Sequence, residues 1–295
     1  MRQSKLFKNL IAIGIILVTI FCFVYYLSKH PAILTQLKKT PPHLIFILLI
    51  LYFGTVIAVG FTLLATLRLC NLQLKFKEVI MITVYSTVIN FFGPLQSGPV
   101  FRAVYLKRKH NLKLKNYSLA TLIYYGFYAT FSGLFLLSGI LKWWLLILVL
   151  AGLGSVYIFR NSNLKIAVRI RQLNLRSLGL LGLVTLIQVA LLAVIYYVEV
   201  RSIDPRISLD QAIIYTGAAN FSLFVALTPG AIGFREAFLV FSRRLHHISL
   251  ATIVTANVID RCVYIVMLLV LVVFIFGLHI NDKVKPKTDN DAKSE

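Results

Sequence analysis

Eight stretches of 17 to 28 residues, none of them containing Asp, Glu, Lys or Arg, take up most of this chain. They run over 9–28, 40–67, 79–101, 116–141, 143–159, 177–198, 211–234 and 262–281. A helix rises about 1.5 Å per residue, so crossing a hydrocarbon core about 30 Å thick takes roughly 20 apolar residues. Inside that core every backbone amide and carbonyl needs a partner within the protein, which makes helix the expected state of such runs. Composition agrees: 14% of residues are charged, against about a quarter in a soluble domain. The expected fold class is an all-α polytopic membrane protein.

Eight segments need not be eight spans. Lys and Arg concentrate in cytoplasmic loops, which gives a test. Eight full crossings with the N-terminus inside place 13 basic residues inside and 17 outside, against the rule. If segments three and seven dip in and return as re-entrant hairpins, 21 lie inside and 9 outside, with Arg261 left in the membrane. The favoured layout is therefore about 6 spanning helices plus two re-entrant hairpins, with N- and C-termini cytoplasmic, in the plasma membrane of a prokaryote. Residues 1–280 form one transmembrane domain and 281–295 a short polar tail. Arg2, Lys5 and Lys8 precede the first segment, which has no small-x-small cleavage site and is expected to remain as an anchor. The net charge of +21 is what such orientation loops supply, so no nucleic-acid partner is implied.

Segments three and seven also end in broken sequence, Gly93-Pro94-Leu95-Gln96-Ser97-Gly98-Pro99 and Thr228-Pro229-Gly230-Ala231-Ile232-Gly233. Backbone freed by Pro and Gly at membrane depth normally lines a cavity. The layout then reads as two units, about 43–141 and 177–277, each a helix, a hairpin and a helix. The hairpins enter from opposite faces, so the units form an inverted repeat. Asn90, Pro94 and Arg102 in one unit are echoed by Asn220, Pro229 and Arg235 in the other. Such repeats point to a transporter with its site between them.

Gly98-Pro99 and Thr228-Pro229 are expected to open short return helices, with free first-turn amides suited to a phosphate. Arg102 and Arg235 follow closely and add guanidinium forks. Two readings stand for Arg102: phosphate contact, or snorkelling toward Lys107-Arg108-Lys109. Asp260 lies about 15 Å into the last helix, a costly depth for a charge. Asn257, Asp260, Arg261 and Tyr264 give that helix one polar face. Arg235-Glu236 and Asp260-Arg261 form a structural ion-pair lock, a lipid-phosphate site with Glu236 and Asp260 as counter-ions, or both together. His246-His247 is expected as a satisfied interfacial pair, Gln188 as an interhelical hydrogen bond, and Tyr124, Tyr125 and Tyr128 as packing. Cys22, Cys70 and Cys262 suggest neither disulfide nor metal site. No nucleotide fingerprint, metal cluster or nucleophile–base pair is legible, so neither cofactor nor enzyme activity is expected.

At the two hairpins the sequence resembles the transmembrane region of lysylphosphatidylglycerol synthases and their stand-alone, flippase-like relatives. The family's first motif reads roughly Pro-Gly-x-x-Gly-Glu-x-x-Arg, matched by Pro94, Gly98 and Arg102. Its second reads roughly Pro-Gly-x-x-Gly-x-Arg-Glu, matched in full by Pro229, Gly230, Gly233, Arg235 and Glu236. Arg261 falls where the family has an arginine in its last core helix. Leu95 and Pro99 depart from the first motif, and Leu122 to Gly126 lacks the acidic residues expected there, so the first half has less of the family's charge. The family's soluble aminoacyl-transferase domain has no counterpart in these residues, so the resemblance implies no aminoacylation. It implies movement of a phosphate-bearing lipid, phospholipid or polyprenyl-phosphate carrier, with Arg102, Arg235 and Arg261 contacting the phosphate. Partners would be membrane lipids. The alternative is a non-transporting accessory subunit that holds a lipid-modifying enzyme such as a glycosyltransferase.

Overall fold

The computed structural model of the chain describes residues 40–92, 97–139, 174–224 and 234–284. These residues form nine helices: α1 (Pro42–Leu69), α2 (Phe76–Phe92), α3 (Ser97–His110), α4 (Leu114–Leu137), α5 (Leu175–Ile203), α6 (Leu209–Ser222), α7 (Phe234–Phe241), α8 (Arg243–His246) and α9 (Leu250–Val284). By length and composition α1, α4, α5 and α9 can each cross a membrane. They are four of the six expected spans; 9–28 and 143–159 lie outside the described residues, as does the tail from 285.

Local chemistry sets the helix ends. Pro42 starts α1, where the missing N–H costs nothing. Asn71 stops it at φ 55°, with the Leu72 amide returning to the Leu67 carbonyl. Asn174 caps α5, and Ser208 with Gln211 closes a capping box on α6. Helix α9 begins at Leu250, ahead of the apolar run 262–281, and carries Asp260 and Arg261 in its interior, ten residues in, as the depth expected for Asp260 requires. It ends at Val284. Large apolar side chains face outward on the spans: Phe46 is 65% exposed and Leu122 66%. Polar groups such as Asn220, Glu199 and Asp260 are buried inside. This is the distribution of a bundle whose outer solvent is lipid.

Neither hairpin arm reaches span length. In segment three α3 folds back along α2: Ser97 Oγ donates to the Ile89 carbonyl (2.9 Å), Arg102 Nε to Ser86 Oγ (2.6 Å) and Tyr105 Oη to Glu78 Oε1 (2.8 Å). Partner numbers diverge steadily, as antiparallel arms require. In segment seven Phe221 stacks on Phe238 and Tyr215 meets His246 edge-on, so α6 is answered in the same sense by α7 and α8.

The helix packing maps onto itself when the two units are exchanged. Helix α1 packs on α5; α4 packs on α6 as α9 packs on α2; α4 meets α5 as α9 meets α1. Likewise α1–α2 answers α5–α6, α2–α3 answers α6–α7, α3–α4 answers α7–α9, and α1–α4 answers α5–α9. The equivalent helices α1 and α5 are antiparallel: Tyr52 faces Glu199, Gly54 lies against Leu191, and Ala65 and Leu69 cluster with Leu181. Helices α4 and α6 approach so closely at Gly217 that a Cβ there would meet the Ser132 carbonyl at 2.7 Å.

Candidate functional site

A cavity of about 280 Å3 lies between the two units, and both contribute to its wall. The first supplies Tyr52, Asn90, Arg102 and Tyr124; the second supplies Tyr196, Asn220, Arg235, Asp260 and Arg261. Its volume sits at the lower edge of the roughly 300–1,000 Å3 of small-molecule sites, which suits a headgroup rather than a whole lipid.

Arg235 is placed by α7, an eight-residue helix whose inward face is Arg235 and Leu239, four residues apart. The guanidinium is buried and stacks over the Tyr196 ring, 4.9 Å from its centroid. Nη1 donates to Asp260 Oδ2 at 2.5 Å, while Nε and Nη2 have no hydrogen-bond partner among the described residues. Half of a guanidinium fork is thus buried and unbonded in a residue of the cavity wall. The other oxygen of Asp260 accepts from the Tyr52 hydroxyl.

Glu236, one residue on, takes Arg261 Nη2 at 3.3 Å. The two pairs are therefore crossed, Arg235 with Asp260 and Glu236 with Arg261, and they join α7 to α9. The ion-pair lock leaves Nε and Nη2 of Arg235 unused among the described residues. Asn257, a turn before Arg261, is buried and donates to the Ile253 carbonyl (2.8 Å) and to Tyr215 Oη (3.4 Å).

The first hairpin differs. Arg102 turns back to Ser86 Oγ and lines the cavity instead of reaching toward Lys107-Arg108-Lys109. Among the described residues no carboxylate pairs with it. The expected helix start at Gly98-Pro99 is corrected: α3 begins at Ser97, because Asn90 Oδ1 accepts from the Gly98 amide (3.1 Å) and Ser97 ties to Ile89. Pro99 has no amide, so the expected cradle of free first-turn N–H groups is largely used up. Gly98 is required here: a Cβ would lie 2.6 Å from the Ser86 carbonyl and 2.9 Å from Asn90 Cβ. Pro94, Pro229, Gly230 and Gly233 lie outside the described residues.

Four groups of this region escape the sequence reading as site residues. Glu199 is fully buried, one residue past an apolar run. Tyr52 bridges it to Asp260. Asn220, the echo of Asn90, is fully buried in the cavity wall, and neither of its amide atoms is bonded among the described residues. Tyr124 donates to Gln188 Oε1 (3.3 Å), giving the expected interhelical bond, but Tyr124, Tyr125 and Tyr128 also line the cavity and are more than packing. His246 is buried and satisfied, with Nε2 donating to the Leu239 carbonyl and Nδ1 accepting from the Ile248 amide; His247 is exposed at φ 55°. Among the described residues no group of His, Cys, Asp and Glu could hold a metal ion.

The family model of the lysylphosphatidylglycerol synthase TM region matches residues 9–272. No curated protein matches the chain, and no solved structure does.

Proposed function

Because the chain belongs to the lysylphosphatidylglycerol synthase TM-region family, we propose that it is a flippase-type transporter that binds the phosphate of a membrane lipid at Arg235. The observation that carries this reading is the half-used guanidinium: Arg235 lines the shared cavity, is fixed by Asp260 and Tyr196, and keeps Nε and Nη2 buried without a hydrogen-bond partner among the described residues. Those two donors form one edge of the fork, which matches two oxygens of a phosphate. A buried guanidinium with unused donors has an unmet hydrogen-bonding demand that phosphate oxygens can satisfy.

In this reading the acyl chains stay in the bilayer while the headgroup occupies the cavity. Arg102 and Arg261 add positive potential from either unit, and Glu236 and Asp260 keep the empty site neutral. The layout is six spans with two re-entrant hairpins entering from opposite faces, in a prokaryotic plasma membrane with cytoplasmic termini. Support comes from the exchange symmetry of the packing, the antiparallel α1 and α5, and the basic loops. Rocking of one unit against the other would open the cavity to each side in turn. The role is binding and movement, with no bond made or broken.

The test is lipid binding by the purified protein in mild detergent. Short-chain phosphatidylglycerol should bind in preference to inorganic phosphate, which lacks the lipid part. Arg235→Ala should lose that binding and Arg235→Lys should recover only part of it, since an ammonium cannot form the fork. Unchanged lipid binding by Arg235→Ala would remove the phosphate role. Binding without transbilayer movement is the outcome an accessory subunit predicts.

A further inference from the structure

Glu199 is fully buried near the end of α5. Its Oε1 is 3.3 Å from the Tyr52 hydroxyl and its Oε2 has no hydrogen-bond partner among the described residues. None of the described Lys, Arg or His side chains forms an ion pair with it. The same Tyr52 hydroxyl donates to Asp260 Oδ1, whose second oxygen holds Arg235. A phenol has one proton to donate, so it cannot serve two carboxylates at once. Two carboxylates around one hydroxyl, with one paired arginine, leave an uncompensated buried negative charge. Such a charge is neutralised rather than tolerated, and here one proton shared over the pair does so.

The other charged groups nearby are committed. Arg261 of α9 is engaged by Glu236 of α7, and Arg102 of α3 by Ser86. Among the described residues the remaining titratable groups facing the pair are phenols and one thiol: Tyr196 on α5, Tyr215 on α6, Tyr264 and Cys262 on α9, with Tyr128 of α4 beside Tyr196. The empty site therefore counts to zero with Arg235 against Asp260 and one proton on Glu199. A singly charged phosphodiester on Nε and Nη2 of Arg235 adds one negative charge.

We propose that binding of a lipid phosphate at Arg235 draws one proton onto the Glu199–Asp260 pair, so that ligand and proton occupy the site together. A hydronium ion of the aqueous phase gives up the proton: one of its O–H bonds breaks to leave water, an O–H bond forms on the second carboxylate, and Arg235 turns its charge from Asp260 to the phosphate. The pair then holds two protons and the site is neutral again. A proton gradient would thereby bias the direction of lipid movement. The inference rests on the lipid-phosphate reading and adds an energy source to it.

The experiment measures binding of short-chain phosphatidylglycerol in detergent between about pH 5.5 and 8, where its phosphate stays singly charged. Proton uptake is followed with an indicator in weak buffer. Expected are about one proton taken up per lipid bound and a Kd that rises up to about tenfold per pH unit. Glu199→Gln is an isostere of the resident protonated carboxyl and should keep the slope while shifting the absolute Kd. Glu199→Gln with Asp260→Asn mimics the doubly protonated pair and should bind with a Kd independent of pH. Lipid binding by the wild type without proton uptake overturns the inference and leaves the lipid-phosphate reading standing. A slope that survives in the double variant also overturns it, and absence of binding at any pH overturns both. The indicator measurement needs the wild type alone, so it decides the matter even if the double variant does not fold.

Discussion

Arg235 Nη1 and Asp260 Oδ2 meet at 2.5 Å, both side chains less than a tenth exposed, in the wall of a cavity built by both halves of the chain. The contact ties the second hairpin to the last span. It uses one of the guanidinium's donor edges and leaves the other for a ligand.

Removing one member of this pair strands the other. Arg235→Ala should lower stability by about 3–5 kcal/mol, the usual cost of leaving a buried partner charge unpaired. Adding Asp260→Asn should recover much of that loss in detergent unfolding measurements. Phosphatidylglycerol binding should stay lost in the double variant, because neutralising the acid restores no fork. A double variant as unstable as the single one would contradict the pairing.

Gly98 and Gly126 form a contrasting pair. Alanine at Gly98 would drive a Cβ into the Ser86 carbonyl and Asn90, whereas at Gly126 it would meet nothing within 4 Å. Gly98→Ala should destabilise by about 1–3 kcal/mol, as overpacking does, and Gly126→Ala should be close to neutral. Thermal unfolding of the two variants side by side reads the difference.

The open ends of α2 and α3 are clasped by Glu78, which lies at the membrane edge. Its burial alone would raise the carboxyl pKa, but hydrogen bonds from Lys109, His110 and Tyr105 outweigh this and hold it at about 2 against an ordinary 4.5. A depressed carboxyl contributes stability above the unfolded pKa and loses it as pH falls through the folded one. Wild type should therefore be more stable than Glu78→Gln at pH 7, with the gap shrinking between about pH 4.5 and 2. Melting curves at pH 7 and about pH 3 test the sign; a gap that widens on acidification would contradict it.

Much of this arrangement is legible in the sequence, and the parts that are not share a cause. The break before Ser97 shows because Pro and Gly interrupt an apolar run, and Arg235, Asp260 and Arg261 show because a charge stands out there. Which acid meets which arginine does not show: the sequence says only that hairpin two and the last helix each carry one acid and one arginine, and α7 and α9 pair Arg235 with Asp260 and Arg261 with Glu236. Glu199 escapes because it sits one residue beyond an apolar run, where a span's polar end is expected. Tyr52 escapes because it is one of 14 tyrosines, and only the antiparallel docking of α1 on α5 sets it between two acids. The start of α3 is misplaced because Asn90, eight positions away, ties it.

The proposed entry of the two hairpins from opposite faces predicts opposite labelling. In a background with Cys22, Cys70 and Cys262 replaced, single cysteines at Ser97 and Ala231 should react with an impermeant thiol reagent from opposite sides of sealed vesicles. Reaction of both from one side would contradict the inverted arrangement.

The most direct measurement of lipid transport through Arg235 is transbilayer movement of headgroup-labelled phosphatidylglycerol in proteoliposomes. Wild-type protein is predicted to move the label across the bilayer under a proton gradient, with Arg235→Lys much slower and Arg235→Ala at the level of protein-free vesicles. No movement by the wild type under any imposed gradient, or equal movement by Arg235→Ala, would contradict it.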